Sequence, residues 1–160
     1  MRYQCSTLMI FGKGTSMRYL KTVVLASAVS ALASVGYAAD NAAKERQDLM
    51  SHVGAATGLG AKIAKGQVEF DANTAQMVMR TLNSAALGFG YMFPEGSETG
   101  FKTEASPQIW SDRAGFNAAV QKFAADTAAN PADLSAFQDA FAVATANCGA
   151  CHRAYRVKTN

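Results

Sequence analysis

The sequence is short of metal-ligating side chains. It holds three cysteines and two histidines in 160 residues. Beyond the N-terminal leader, Cys148, Cys151 and His152 are joined only by His52. A structural zinc site, which takes four ligands, is disfavoured by that shortage. No acid–base pair or nucleophile constellation stands beside the C-terminal cluster, which argues against an enzyme. Strand-like alternation is missing, and Val and Ile are few. Ala, Met, Leu, Gln and Phe dominate and favour helices. The only prolines are Pro94, Pro107 and Pro131, each where a connection between helices would fall. Excess basic charge is missing too once the leader is set aside. Four of the 15 basic residues (Arg2, Lys13, Arg18, Lys21) and none of the 12 acidic ones precede Ala39, which leaves a net charge of −1. The formal +3 of the whole chain therefore argues for neither nucleic acid nor membrane binding.

The leader itself has a recognisable build. Met17-Arg18-Tyr19-Leu20-Lys21 is a basic start, residues 22–35 are an apolar small-residue run, and Gly36-Tyr37-Ala38 offers small residues at both cleavage positions. This reads as a secretory signal peptide, too short and too poor in bulky residues for a good membrane span. Met17 reads as the initiator and residues 1–16 as an over-extended start. Residues 1–38 are thus expected to be removed on export to the periplasm. Residues 39–160 suit one domain with one core and no membrane span.

What is present is concentrated in Cys148-Gly149-Ala150-Cys151-His152. Cys-x-x-Cys-His is the attachment sequence of a c-type haem. Two thiols form thioethers with the haem vinyl groups, and the following histidine supplies an axial nitrogen to the iron. At about 100° per residue on a helix, Cys151 lies about 60° to one side of Cys148 and His152 about 40° to the other. The three side chains fan out where one flat macrocycle meets them. A dithiol redox motif would instead open a helix after a strand, and this one sits near the end of a helical stretch. One covalently bound haem c is the expected cofactor.

Four helical segments carry the rest. The first spans about 41–65, with a stripe of Leu49, Val53, Ala56, Gly60 and Ile63 and a stop at Gly66. Arg46 and Met50 share an adjacent face of it at i, i+4. Glycines 54, 58 and 60 leave room for something bulky to approach. The second spans about 72–92, capped by Asp71 or Asn73, with Ala75, Val78, Leu82, Ala85, Phe89 and Met92 inward. A connection rich in Gly, Ser, Thr and Glu then runs to Ser106, long enough to suggest a ligand cover. The third begins at Ser106-Pro107, pauses at Ser111-Asp112 and continues to about 129, with Ile109, Phe116, Val120, Phe123 and Thr127 inward. The fourth starts at Asn130-Pro131 and Asp133. Its stripe of Leu134, Phe137, Phe141, Ala144, Cys148, Cys151 and Tyr155 puts the thioether cysteines at core positions of a heptad. Short links make helices one and two, and three and four, antiparallel neighbours.

A haem motif at the end of a fourth helix, behind a signal peptide, resembles the class II cytochromes c: cytochrome c-prime and its low-spin relatives of the c-556 type. Arg46-Gln47-Asp48-Leu49-Met50, Phe93-Pro94-Glu95-Gly96-Ser97, Ser106-Pro107-Gln108-Ile109-Trp110 and Cys148 to His152 followed by Ala154-Tyr155-Arg156 carry the likeness. The resemblance implies an all-α antiparallel four-helix bundle with a covalently bound haem. It implies His152 as the proximal ligand and Met50 on the distal side, where low-spin members have a methionine ligand and high-spin members an unligated apolar residue. It implies Arg46 beside a haem propionate and Arg156 beside the proximal face. Read from the residues alone, Met50 is equally core filler, and Arg46 and Arg156 are equally surface charges. His52 is about 200° round the helix from Met50, so it cannot face the same iron. Two functions follow: an electron carrier with His152 and Met50 as axial ligands, passing electrons to protein partners not identified by the sequence, or a five-coordinate protein binding nitric oxide or carbon monoxide. Class II relatives are often homodimers through their first two helices.

Overall fold

The computed structural model describes the backbone of residues 17–158 and the side chains of residues 41–158. The start-site reading of residues 1–16 and the side chains around the proposed cleavage site lie outside the described residues. The described residues before Gly36 and those from Gly36 on belong to two units, and apart from the start of the first helix everything below concerns the second.

The helices are α1 (Met17–Ala64), α2 (Ala72–Phe89), α3 (Gln108–Ser111), α4 (Arg113–Asp126) and α5 (Leu134–Tyr155), with a 3-10 turn over Gly90–Met92. The helix expected from about 41 is the later part of a 48-residue helix that starts at Met17. The Ala-rich run before it has no proline to interrupt the backbone ladder. The architecture is all-α: α1, α2, α4 and α5 make the four-helix bundle. The single β-bridge among the described residues joins Ala105 and Arg156 in antiparallel sense. No helix among these residues is long and apolar enough to cross a membrane.

The helix ends follow local chemistry. α1 stops in a Schellman turn: Gln67 N–H donates to Lys62 O (2.8 Å) and Gly66 N–H to Ile63 O (3.0 Å). Gly66 takes φ +69° there, which a residue without Cβ adopts at no steric cost. Asp71 caps α2 by accepting from Thr74 N (2.7 Å), and Asp133 caps α5 by accepting from Ala136 N (2.9 Å). The pause at Ser111-Asp112 is a real break: Asp112 leaves helical geometry (φ −121°, ψ 58°) and caps α4 through Gly115 N at 3.0 Å. α4 ends at Asp126, three residues before the expected boundary. Asn83 donates to Ala124 O (2.7 Å) and to Thr127 Oγ1 (3.2 Å), so α2 satisfies the end of α4.

Two apolar clusters form the core. One joins α1, α2 and α5 through Val53, Ile63, Val78, Met79, Leu82, Phe137 and Phe141. The other gathers Phe93, Ile109 and Phe116, with Phe89, Val120, Trp110 and Tyr155 around them. Each fully buried phenylalanine contributes about 2–3 kcal/mol. Gly60 lets α1 and α5 meet. A Cβ built there would stand 2.4 Å from Cε2 of Phe141, whose ring stacks on Phe137 at 5.3 Å. Gly60→Ala gains up to about 1 kcal/mol of helix propensity but overpacks this contact at a cost of about 1–3 kcal/mol. We expect net destabilisation, read as a lowered denaturant midpoint of the holoprotein, whereas Gly58→Ala, with open space around it, should stabilise.

Candidate haem site

The heptad of α5 decides where the motif lies. Phe137, Phe141 and Ala144 are buried in line with Cys148 and Cys151, so both thiols are carried inward and are half-buried. They open on a cavity of about 540 Å³, within the usual range for a cofactor site. Its walls come from every helix: Met50, Val53, Gly54 and Thr57 on α1, Ala85 and Phe89 on α2, Ile109 on α3, Phe116, Val120 and Phe123 on α4, and Asn147, Tyr155 and the motif on α5. Phe93, Thr103, Glu104 and Ala105 of the long connection also face it. All six residues singled out in the sequence (Cys148, Cys151, His152, Met50, Arg46 and Arg156) line this one cavity.

Burial pushes both thiols above their ordinary pKa, and for Cys151 the neighbouring Cys148 adds to it, so both stand as neutral thiols. His152 sits at the solvent-facing rim. Its pKa is lowered, first by partial burial and then by the positive charge of Arg156, with Glu104 opposing. A neutral imidazole, the form that ligates a metal, is thereby favoured at neutral pH.

Arg46 is 5% exposed, unusual for an arginine. Nη1 donates to Met92 O (2.8 Å) and Ser97 Oγ (3.0 Å), and Nη2 to Ser97 O (2.9 Å) and Thr103 Oγ1 (3.3 Å). Its guanidinium lies 4.7 Å from the Phe93 ring centre. Burial lowers its pKa and Glu98 partly restores it. Among the described residues no carboxylate stands within ion-pair distance of it. A buried cation on the cavity wall is thus hydrogen-bonded but lacks a paired anion. Arg156, by contrast, is exposed and holds Glu104: its Nε donates to Oε2 at 2.6 Å, and Nη2 pairs with the same oxygen.

Some of the site was not read from the sequence. Arg113 donates to Phe93 O and Gly90 O, both at 3.0 Å, and so ties α4 to the end of α2. Asn147, next to Cys148, donates to Asp126 Oδ2 at 2.8 Å. Tyr155 donates to Asp112 Oδ2 at 3.1 Å and packs edge-on against Phe116. These contacts join residues 20 to 43 positions apart, and no local spacing announces them. Among the described side chains, the remaining histidine and methionines lie elsewhere. His52 and Met77 line a separate surface groove between α1 and α2, Met79 is buried in the core, and Met92 contributes its carbonyl to Arg46.

The cavity fits a haem on several counts. Two thiols and an imidazole line it, its wall is mostly apolar, and among the described residues the buried Arg46 beside it makes no ion pair. At Gly54 a Cβ would meet no protein atom within 4 Å. The sequence profile described as Cytochrome C' matches residues 41–156. The chain belongs to the cytochrome c' family. Its cofactor is haem c, attached covalently through Cys148 and Cys151. A cytochrome c-556 of Agrobacterium tumefaciens (strain II Chrys) is 36% identical over 119 residues, covering 72% of this chain and 96% of the relative. The solved cytochrome c' of Rhodopseudomonas palustris superposes with a TM-score of 0.70 at 28% identity, covering 74% of this chain and 98% of its own. A nitric oxide complex of a variant cytochrome c prime from Alcaligenes xylosoxidans superposes with a TM-score of 0.67 at 32% identity, covering 75% and 97%. The cytochrome c' family thus includes both kinds of protein that this bundle resembles, those named c-556 and those named c'.

Proposed function

We propose that the protein is a periplasmic electron carrier in which His152 and Met50 are the two axial ligands of the haem iron. One observation carries this reading. Met50 on α1 and His152 on α5 open on the same cavity as the thiols, while Met77, Met79 and Met92 do not line it. When bound, the haem supplies a one-electron change at its iron. The chain's part is to hold that change in a rigid, apolar setting. Phe89, Phe93, Phe116, Val120 and Phe123 give the cavity an apolar wall, and a low-dielectric wall disfavours added positive charge. A methionine thioether beside a histidine favours the reduced state and raises the potential. Arg46 provides a buried positive charge for a propionate. Thiols on one helix keep the macrocycle in register with His152.

The second reading, a five-coordinate site for nitric oxide or carbon monoxide, gains from the nitric oxide complex of a similar protein. A ferric and ferrous absorption spectrum decides between the two: a low-spin ferric protein with a weak sulfur-to-iron charge-transfer band supports Met50 ligation, and a high-spin protein that takes up carbon monoxide readily refutes it. Export is tested separately. Haem-loaded protein recovered from the periplasm should begin close to Ala39 on N-terminal sequencing, and an intact Met1 or Met17 would contradict the leader reading.

A further inference from the structure

We propose that residues 92–106 form a strap that fixes the spacing between the cavity walls bearing Met50 and His152, with Arg46, Thr103 and Glu104 as positioning residues. The proposal rests on the reading of Met50 as an iron ligand. On one side the strap is pinned to α1 by Arg46, one helical turn before Met50, through Met92, Ser97 and Thr103. On the other side it is pinned to α5 by Arg156, one turn after His152, through Glu104. Backbone pairing reinforces the second anchor: Ser106 N–H donates to Tyr155 O (3.0 Å) and Val157 N–H to Glu104 O (2.9 Å).

The two anchors meet at adjacent residues. Thr103 Oγ1 accepts from Arg46 and Glu104 accepts from Arg156. One peptide unit, with Cα atoms about 3.8 Å apart, therefore links the turn beside Met50 to the turn beside His152. The chain leading into it has little slack. Gly100, Phe101 and Lys102 take φ of 98°, 41° and 49° in succession, and Thr103 N–H closes that turn on Gly100 O at 2.9 Å. A left-handed Phe and Lys cost energy and persist only where their surroundings hold them. Gln47 does so from α1 by donating to Phe101 O at 3.0 Å. A thioether is a weak ligand with a directional lone pair, so its bond tolerates only about 0.5 Å of displacement. The strap holds its two walls within that tolerance. Outer partners of metal ligands are typically worth about 10–100-fold.

The test uses holoprotein carrying Thr103→Val, Glu104→Gln, Arg46→Gln or Arg46→Lys. Thr103→Val removes the one Arg46 contact that adjoins Glu104, keeps those to Met92 and Ser97 and leaves Arg46 in place, which separates the strap from any propionate role of that arginine. Ferric spin state, carbon monoxide association rate and hydrogen exchange of the 92–106 amides are measured together. The expected result is a low-spin wild type, and in Thr103→Val and Glu104→Gln a new high-spin fraction with carbon monoxide association faster by about 10-fold. Arg46→Lys should fall between wild type and Arg46→Gln. Strap amides that exchange faster while spin state and gas association stay at wild-type values would overturn the proposal and leave the strap a purely structural feature. A high-spin wild type would overturn the ligand reading itself, and the strap's positioning role with it.

Discussion

Met50→Ala should convert the ferric iron from low to high spin, lower the reduction potential and open the site to carbon monoxide. Met50 is half-buried on α1 and lines the cavity with His152. It is the one described methionine side chain that does so. Met79, fully buried in the core, cannot reach round to replace it. Removing the thioether leaves apolar surroundings from Val53, Phe89 and Phe123 and, among the described residues, no second methionine. Axial ligand identity spans about 0.8 V of haem potential, so a fall on the order of a tenth of that span is expected from losing one methionine. Carbon monoxide, which must displace sulfur in the wild type, should associate with the variant at least tenfold faster. Met77→Ala is the control. That residue is 52% exposed on a different groove, and its loss should leave spectrum and potential unchanged. Redox titration and carbon monoxide stopped flow check both variants. If Met50→Ala left the spin state of a high-spin wild type unaltered and only sped gas entry, Met50 would be a steric gate and the gas-binding reading would stand.

The second large effect belongs to the thiols. In the wild type, haem should stay with the protein through acid denaturation and organic extraction. From the double variant Cys148→Ala, Cys151→Ala it should partition wholly into solvent, while Cys148→Ala alone should keep one thioether and a less stable holoprotein. The consequence for folding is set by the cavity. An unfilled apolar cavity costs about 24 cal/mol per Å³. The space of about 540 Å³ opens to solvent at the rim that carries His152, so only its enclosed part forfeits packing at this rate, on the order of a few kcal/mol against the roughly 5–15 kcal/mol stability of a small domain. The two apolar clusters each form part of the cavity wall, so without a filling group neither is fully backed. The haem-free double variant should keep helical far-ultraviolet dichroism but lose a sharp, cooperative melt. A cooperative melt within a few degrees of the holoprotein would show that the bundle holds itself together without its cofactor.

The fourth helix was legible almost entirely from its own residues. Asp133 caps it, the stripe from Leu134 to Tyr155 packs inward, and the cysteines follow that stripe to the cavity. Asp71, Gly66 and the break at Asp112 were legible for the same reason: a cap, a left-handed glycine and an interrupted helix depend on neighbours within four residues. The start of α1 was not, because an Ala-rich leader and a domain helix share one propensity and nothing between them stops the ladder. Glycines were only half legible. Their spacing announced a close approach, but at Gly60 it is Phe141 that approaches.

By itself, then, the sequence determined a haem c attached through Cys148 and Cys151, with His152 expected as its ligand, and helices whose apolar stripes had to face inward. Those are local facts: thioether chemistry needs five consecutive residues, and a 3.6-residue period needs only its own turn. The family resemblance pointed to Met50; that its side chain opens on the cavity, and what a buried Arg46 holds, were decided by tertiary structure. Arg46 meets Ser97 and Thr103 across 51 and 57 positions, and Arg156 meets Glu104 across 52. Periodicity tells which side chains share a face. It carries no information about which faces meet, because that depends on how four helices and one connection close around the same space.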